Sequence, residues 1–516
     1  MPKDPGTEIP DPRAAGAVAS EAGALTSGTE WFGHPRGLST LFFTEMWERF
    51  SYYGMRGVLI LFMTAGLTGA NPGLGISTGE ATAIYGLYTF FVYVLALPGG
   101  WIADKLWGQK ASVFRGGVII MLGHISLAIP TTTTFFIGLA LIVIGTGLLK
   151  PNVSAMVGDL YPEGGAKRDA GFSIFYMGIN LGSVLGTTLV GLVGEGYNFH
   201  WGFSLAAVGM FLGLVQYKVG DKNLGTAGQL ALTDDEITMR QRTSRFYAVL
   251  AFVTAIVLVV GYLMATGAFP LTLQQLAAYL GYAVVGLATL YFAFLFIAGG
   301  LTGVEKKRLG VIVWLFVLAA IFWSGFEQAG SSLNLFARDF TDRDVFGWEM
   351  PASLLQNVNA LFIIILAPLF GTLWTWLARR NANPSIPMKF ALGLLGLAVG
   401  FLVLAWGAAN ASDTVKVGMS WLIVTYFFHT VGELALSPVG LSSMTKLAPA
   451  GRVGQMMGVW FMASALGNLF AGLLAGGLEN LAPADLFMNI ATTIGIAGLV
   501  AVVAAPLVKR FTVGVD

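Results

Sequence analysis

Between Glu45 and Arg56 the sequence reads Glu-Met-Trp-Glu-Arg-Phe-Ser-Tyr-Tyr-Gly-Met-Arg, with charges at positions 45, 48, 49 and 56. On a helix turning about 100° per residue, Glu45, Glu48, Arg49, Tyr52, Tyr53 and Arg56 share one face about 140° wide. Met46, Phe50 and Val58 lie away from it, on an apolar side that suits lipid or packed helices. Carboxylates and guanidiniums on one face of an apolar segment have to line a polar cavity or form a tight ion-pair network. A static cluster tying helices together would use the same residues. The adjacent tyrosines favour a cavity wall, because they offer both stacking surface and hydroxyls.

Other polar residues punctuate apolar stretches in the same way. Lys150 precedes Pro151, whose missing N–H frees a backbone carbonyl, although a lysine near a helix end can also snorkel outward. Trp323 and Glu327 stand one turn apart. His429, Glu433 and Ser437 are spaced by four, with Pro438 following. His429 reads as a packed or hydrogen-bonded histidine before it reads as a proton relay. The acids Glu45, Glu48, Glu327 and Glu433 outnumber the bases Arg49, Arg56 and Lys150 by one. A low-dielectric cavity disfavours the surplus carboxylate, so one acid should bind a proton readily, as a proton-coupled carrier requires. A carboxylate at one end, cations at the other and aromatic walls between suit a zwitterion. The chain carries no HExxH, no serine nucleophile motif in its required context and no Asp-rich metal motif. The expectation is therefore no enzyme, no catalytic residues, no metal and no cofactor, with protons as the coupling ion.

These residues sit in a chain with 11% charged and 55% apolar residues, against roughly 25% charged in a typical soluble domain. Lys and Arg number 29 and Asp and Glu 28, so no global field points to nucleic acid, and there are no cysteines. Spanning helices need about 20 mostly apolar residues. Fourteen such segments centre on 40–66, 80–104, 111–129, 133–158, 170–194, 201–219, 246–266, 273–299, 309–336, 352–377, 387–408, 417–444, 454–477 and 486–508. With the N-terminus placed in the cytoplasm, Arg338, Arg343 and Lys416 fall in outer loops, and Arg49, Arg56 and Lys150 fall inside spans. The other 23 cations are cytoplasmic, as the positive-inside rule demands. Residues 1–35 lack the apolar core of a signal peptide and read as a disordered cytoplasmic tail. Residues 511–516 form a second tail.

A trace of duplication divides the spans. Lys150-Pro151 is followed eleven residues later by Pro162, and Ser437-Pro438 eleven residues later by Pro449. Each pair precedes a basic stretch and a helix containing Leu-Gly, Leu181-Gly182 and Leu466-Gly467. The pattern favours two six-helix bundles, 36–219 and 306–510, separated by 220–305, a linker and two inserted spans. The segment Gly99–Lys110 allows a tight turn between the second and third spans, with Asp104 placed to pair with cations across an interface. The 68 glycines, among them Gly178, Gly182, Gly467 and Gly472, permit close helix packing.

Glu45-x-x-Glu48-Arg49-Phe50-x-Tyr52-Tyr53-Gly54 resembles the ExxER motif of the proton-dependent oligopeptide transporters, a branch of the major facilitator superfamily. Gly100-x-Ile-Ala-Asp104, Phe172-Ser-Ile-Phe-Tyr176-Met-Gly-Ile-Asn180-Leu-Gly-Ser183 and Gly432-Glu433-Leu-x-Leu-Ser437-Pro438-x-Gly440 resemble further signatures of that family. The resemblance implies an all-α integral membrane protein with the major facilitator fold, importing di- and tripeptides with protons by alternating access. It implies that Arg56 and Lys150 receive the peptide carboxylate, Glu433 the amino group, and Asn180 and Asn359 the peptide backbone. Tyr53, Tyr93, Trp323, Trp460 and Ser437 would shape side-chain pockets. Glu45, Glu48, Arg49 and Glu327 would couple protons, with Arg56–Glu327 and Lys150–Glu433 as pairs that form and break.

One departure stands out. Animal members place a histidine after Ile-Tyr on the second helix, where this chain has Gly86 after Ile84-Tyr85. Coupling would then fall on the carboxylates. A carrier of nitrate or another small solute on the same fold is the alternative, and a nitrate carrier would be expected to lack both the complete ExxER set and an acid such as Glu433. A polytopic enzyme or a signalling receptor-like carrier is the alternative of a different class. The expected setting is a bacterial inner membrane, with both termini cytoplasmic and the chain working as a monomer in the bilayer.

Overall fold

The computed structural model describes residues 30–163, 165–230, 236–412 and 414–514. The long helices are α1 (Gly37–Thr64), α2 (Thr78–Trp107), α3 (Gln109–Ala128), α4 (Thr132–Asp159), α5 (Gly165–Gly196) and α6 (Phe199–Gly220), then α7 (Glu236–Ala265) and α8 (Leu273–Ala298). They continue as α9 (Gly303–Asp339), α10 (Asn357–Arg379), α11 (Ile386–Ala408), α12 (Ser420–Leu447), α13 (Val453–Ala475) and α14 (Pro483–Phe511). Thirteen of these are long and apolar enough to cross a membrane. The exception is α1, whose charged stripe is the reason. Four two-residue strands in loops, pairing Thr341–Asp342 with Val417–Gly418 and Asp344–Val345 with Trp348–Glu349, interrupt an otherwise helical chain.

Local chemistry sets the ends. Asn198 opens α6 by accepting the N–H groups of His200 at 2.9 Å and Trp201 at 3.3 Å. Thr302 and Glu305 form a reciprocal capping box at the start of α9, as Thr272 and Gln275 do for α8. Pro151 and Pro438 lie inside α4 and α12 without ending them.

Within α1–α6, α1 packs on α5 and α6, and α3 on α4 and α6; within α9–α14, α11 packs on α12 and α14, and α9 on α13. This is the major facilitator architecture. The apolar side of α1 meets neighbouring helices rather than lipid: Met46, Phe50 and Val58 are all buried. The inserted α8 packs on both α2 and α13, at a seam between the two sets, while α7 is largely exposed. Its Phe246 touches Trp101 and Trp107 with ring centroids at 6.4 and 6.2 Å.

Three expectations need correction. Residues 30–35, expected in a disordered tail, are held: Trp31 bridges to His34 and packs against Phe42 with ring centroids at 5.5 Å, and His34 Nδ1 lies 2.9 Å from the Tyr161 hydroxyl. An aromatic and a histidine find packing here that composition does not foretell, while residues 1–29 lie outside the described residues. The expected linker to Arg245 is shorter, because α7 begins at Glu236 with turns carrying Arg240, Arg242 and Arg245. A helix can extend beyond lipid where charged side chains stay solvated. Asp104 is exposed and makes no ion pair among the described residues; Arg115 instead lies over Trp107 at 4.5 Å.

Between the two sets, α2 and α13 meet backbone to backbone. A Cβ on Gly472 would stand 2.5 Å from the Thr82 carbonyl and 2.6 Å from Gly86 Cα, and one on Gly86 only 3.0 Å from Gly472 Cα. A histidine at 86 therefore has no room in this conformation. The crossing lies in the half of the bundle that includes Thr64, opposite the basic end where the cytoplasmic cations of the sequence gather. Gly472→Val should pry this end open at a cost of about 1–3 kcal/mol. In a Thr187→Cys background, the only cysteine in the chain, a membrane-impermeant maleimide added from the Thr64 side should label at least several-fold faster. Unchanged labelling would show that the crossing does not hold the end closed.

Candidate functional site

The inner stripe of α1 closes on itself. Arg49 Nε donates to Glu45 Oε1 at 2.7 Å and stands 2.9 Å from Glu48 Oε2, with all three side chains at most 4% exposed. A single N–H serves one of the two carboxylates. No protein donor among the described residues reaches Glu45 Oε2 or either Glu48 oxygen. The cluster thus pairs two acids with one guanidinium, with the Lys150 ammonium as a further charge felt by both carboxylates, and the guanidinium also lies over the Tyr52 ring at 5.8 Å. A buried carboxylate short of donors is a site where a proton restores neutrality.

Two turns on, Arg56 reaches across the molecule. Its guanidinium donates to Glu327 of α9 and to the Tyr85 hydroxyl of α2. Regular α-helix stops at Phe326, and Glu327–Gly330 forms a tighter turn that presents Glu327 to α1. Gly330 lies beneath this cluster: a Cβ there would collide with the Tyr85 hydroxyl and stand 3.1 Å from Arg56 Nε. The absence of a side chain at 330 is what lets three helices converge.

A cavity of about 190 Å3 opens beside these groups. Tyr53 and Arg56 of α1, Tyr93 of α2 and Asn180 of α5 line one side; Trp323, Glu327, Asn359 and Glu433 line the other. Glu433 accepts from Asn359 Nδ2 at 3.3 Å, and the same amide donates to Thr430 at 2.9 Å. Eight of the expected site residues are thus brought to one space.

The remaining ones are placed elsewhere. Lys150 is not part of the lining; its ammonium lies over the Tyr93 ring at 4.2 Å, one side chain behind the wall. Ser437 is half-buried outside the lining, and Trp460 packs against Phe390, with centroids at 6.3 Å, and over Gly440. Glu45, Glu48 and Arg49 form the separate cluster. The pair Arg56–Glu327 is made, whereas Lys150 and Glu433 are not within ion-pair distance of each other. His429 lines the cavity yet is only 1% exposed, with its ring on Phe401 at 4.6 Å, in keeping with a packed histidine.

Sequence reasoning gave no role to Tyr85, Tyr176, Gln356 or Tyr426, all of which contact the cluster or line the cavity. Tyr85 had a local signal, since it lies in the Ile84-Tyr85-Gly86 segment. Gln356 had none, because it sits in the short turn Ala352–Gln356 ahead of α10.

Hydrogen bonds between the two helix sets gather toward the Thr64 end. Asn334 Nδ2 donates to the Gly57 carbonyl at 2.7 Å, and Arg338 to Thr64 Oγ1 at 2.7 Å. Glu195 accepts the N–H groups of Ala352 at 2.8 Å and Ser353 at 3.0 Å, and Glu479 accepts that of Gly79 at 2.8 Å. The cavity is therefore sealed at one end by a polar latch that includes Arg56–Glu327.

The sequence pattern of the POT family matches residues 110–484. The chain belongs to the POT family. It is 42% identical to the peptide transporter YePEPT of Yersinia enterocolitica, over 88% of this chain and 89% of that one. It is 38% identical to a di-/tripeptide transporter of Lactococcus lactis, over 84% and 87%. The crystal structure of a peptide transporter POT in complex with sulfate superposes with a TM-score of 0.87 at 41% identity, covering 95% of this chain and 99% of that one. A POT family transporter in complex with 5-aminolevulinic acid gives 0.86 at 34% identity, covering 94% and 99%.

The acid cluster makes a sharp prediction for stability. Arg49→Gln leaves the Glu45 and Glu48 carboxylates with only the more distant Lys150 ammonium to answer them and should cost about 3–5 kcal/mol. Glu48→Gln removes a buried carboxylate that no donor reaches and should cost less than Arg49→Gln. Thermal melting of the purified variants in detergent measures both, and equal losses would show that charge does not govern this cluster.

Proposed function

We propose that the protein imports di- and tripeptides together with protons by alternating access. The observation that carries this reading is one small cavity with Arg56 on one wall, Glu433 on the other and tyrosine and tryptophan between. A short peptide offers a carboxylate, an amino group and side chains of varied shape, and this arrangement answers each. The similar peptide transporter of Yersinia enterocolitica and di-/tripeptide transporter of Lactococcus lactis support the same substrate class.

Glu327 couples the two events. While ionised it holds Arg56 and helps tie α1 to α9. A proton on Glu327 weakens that tie, which frees the guanidinium for a peptide carboxylate and loosens the latch at the Thr64 end. Opening that end brings Lys150 and Glu433 toward each other as the basic-end halves approach, so the two pairs alternate. Glu45, Glu48 and Arg49 supply a second protonation site on the same helix. Asn180 and Asn359 hold peptide backbone, Tyr53, Tyr93 and Trp323 bound the side-chain space, and Ser437 and Trp460 border it in another conformation.

The charge distribution supports a bacterial inner-membrane protein with both termini in the cytoplasm. The Thr64 end then faces outward, and the described conformation is closed to the outside. A single chain contains the whole cavity, which favours a monomer as the working unit.

Reconstitution tests the reading directly. In liposomes with an inward proton gradient, dialanine should accumulate and nitrate or free amino acids should not; the reverse would reject it. Glu327→Gln should abolish gradient-driven uptake, a fall of at least about 100-fold if the paired charge contributes near 3 kcal/mol, yet keep peptide counterflow. Loss of both would instead indicate a binding or folding defect.

A further inference from the structure

A second cavity, of about 490 Å3, lies between α10, the start of α11 and the basic-end half of α12. Along the helices its wall is apolar, formed by Phe370 and Trp374 of α10 and Pro438 and Val439 of α12. At its basic end two ammonium groups line it: Lys389 in the first turn of α11 and Lys446 in the last turn of α12. No Asp or Glu belongs to the lining.

Lys389 is only 9% exposed, and its ammonium lies over the Trp374 ring at 4.5 Å. Among the described residues it forms no ion pair. Its position is unfavourable twice over, since a helix N-terminus is itself electropositive and Lys446 adds a like charge. The N-terminus of α11 is moreover uncapped by Ser385, with Pro387 inside the first turn and Pro384 and Ile386 at the cavity edge. Two lysines and an open helix N-terminus thus converge where only an anion lowers the energy.

The surroundings fix the kind of anion. Nearby, α10 ends in exposed Trp376 with Arg380 over its ring at 4.2 Å, an arrangement typical of the membrane–water interface. The cavity is therefore cationic at headgroup depth and apolar toward the membrane centre. We propose that it binds an anionic phospholipid of the adjoining leaflet, with the phosphate between Lys389 and Lys446 and an acyl chain along the apolar wall. A soluble phosphate would satisfy the charges but leave that wall wet. The proposal does not depend on the transport reading.

Native mass spectrometry of the full chain in detergent tests it, with phosphatidylglycerol, phosphatidylcholine and glycerol 3-phosphate as probes. Phosphatidylglycerol should bind in preference to phosphatidylcholine. Lys446→Gln, at an exposed position, should weaken that binding about fivefold, and the double variant Lys389→Gln/Lys446→Gln about 25-fold, from the attraction of each lysine for an anionic headgroup. Lys389→Arg should keep it. Unchanged phosphatidylglycerol binding in Lys446→Gln and in the double variant overturns the proposal. So does displacement of the lipid by an equal concentration of glycerol 3-phosphate, which would make this a soluble-anion site.

Discussion

Charge placed where no solvent can answer it has to be answered by other charge, and that requirement organises α1. Arg49 answers Glu45 and Glu48 within its own helix, one cation to two acids. Arg56 answers Glu327 from a different helix set. The two arginines lie seven residues apart, two turns of one helix, yet their pairs do different work. The first is internal to α1 and survives any movement of the halves; the second cannot be kept if the halves separate at the Thr64 end. One helix thereby carries both an internal acid cluster and a pair that ties the two helix sets together.

That tie depends on residues that carry no charge. Gly330 makes the space in which Arg56, Tyr85 and Glu327 meet, and the turn at Glu327–Gly330 aims the carboxylate. Gly86 and Gly472 bring α2 and α13 into backbone contact in the same half of the molecule. Such contacts between smooth surfaces are close enough to seal a path, and they separate without side chains having to disengage. The position at which animal relatives are expected to carry histidine is here part of this seam.

Much of the design was legible in residue order. The stripe on α1 and the fourteen long helices follow from apolar periodicity and from the cost of unpaired charge, whereas the Arg56–Glu327 pair came from the resemblance to the family. What stayed hidden was set by contacts distant in sequence. Tyr85 joins Arg56 across 29 residues, and no local pattern points the one at the other. Trp460 faces Phe390 and Gly440 rather than the cavity because helix rotation is fixed by packing, not by its own sequence. Lys150 lies over Tyr93, and the expected pair with Glu433 is not made, because the placement of its ammonium is set by an aromatic wall distant in sequence. The early start of α7 and the ordering of residues 30–35 were missed because composition separates lipid from water, and says little about helices or turns that continue into water.

The charged stripe also bears on how the chain enters its membrane. Four ionisable side chains on one helix each oppose insertion by about 2.5–3.5 kcal/mol near the bilayer centre, and α1 alone among the fourteen falls short of the apolar content of a spanning segment. Its neighbours in the finished protein include α5 and α6, more than a hundred residues further along. During synthesis, α1 emerges well before those partners exist. It therefore has to remain beside the insertion machinery, or pass through a shallow and reversible placement, until later helices arrive to cover it. The charged stripe thus makes α1, early in the chain, the last of these helices to be settled.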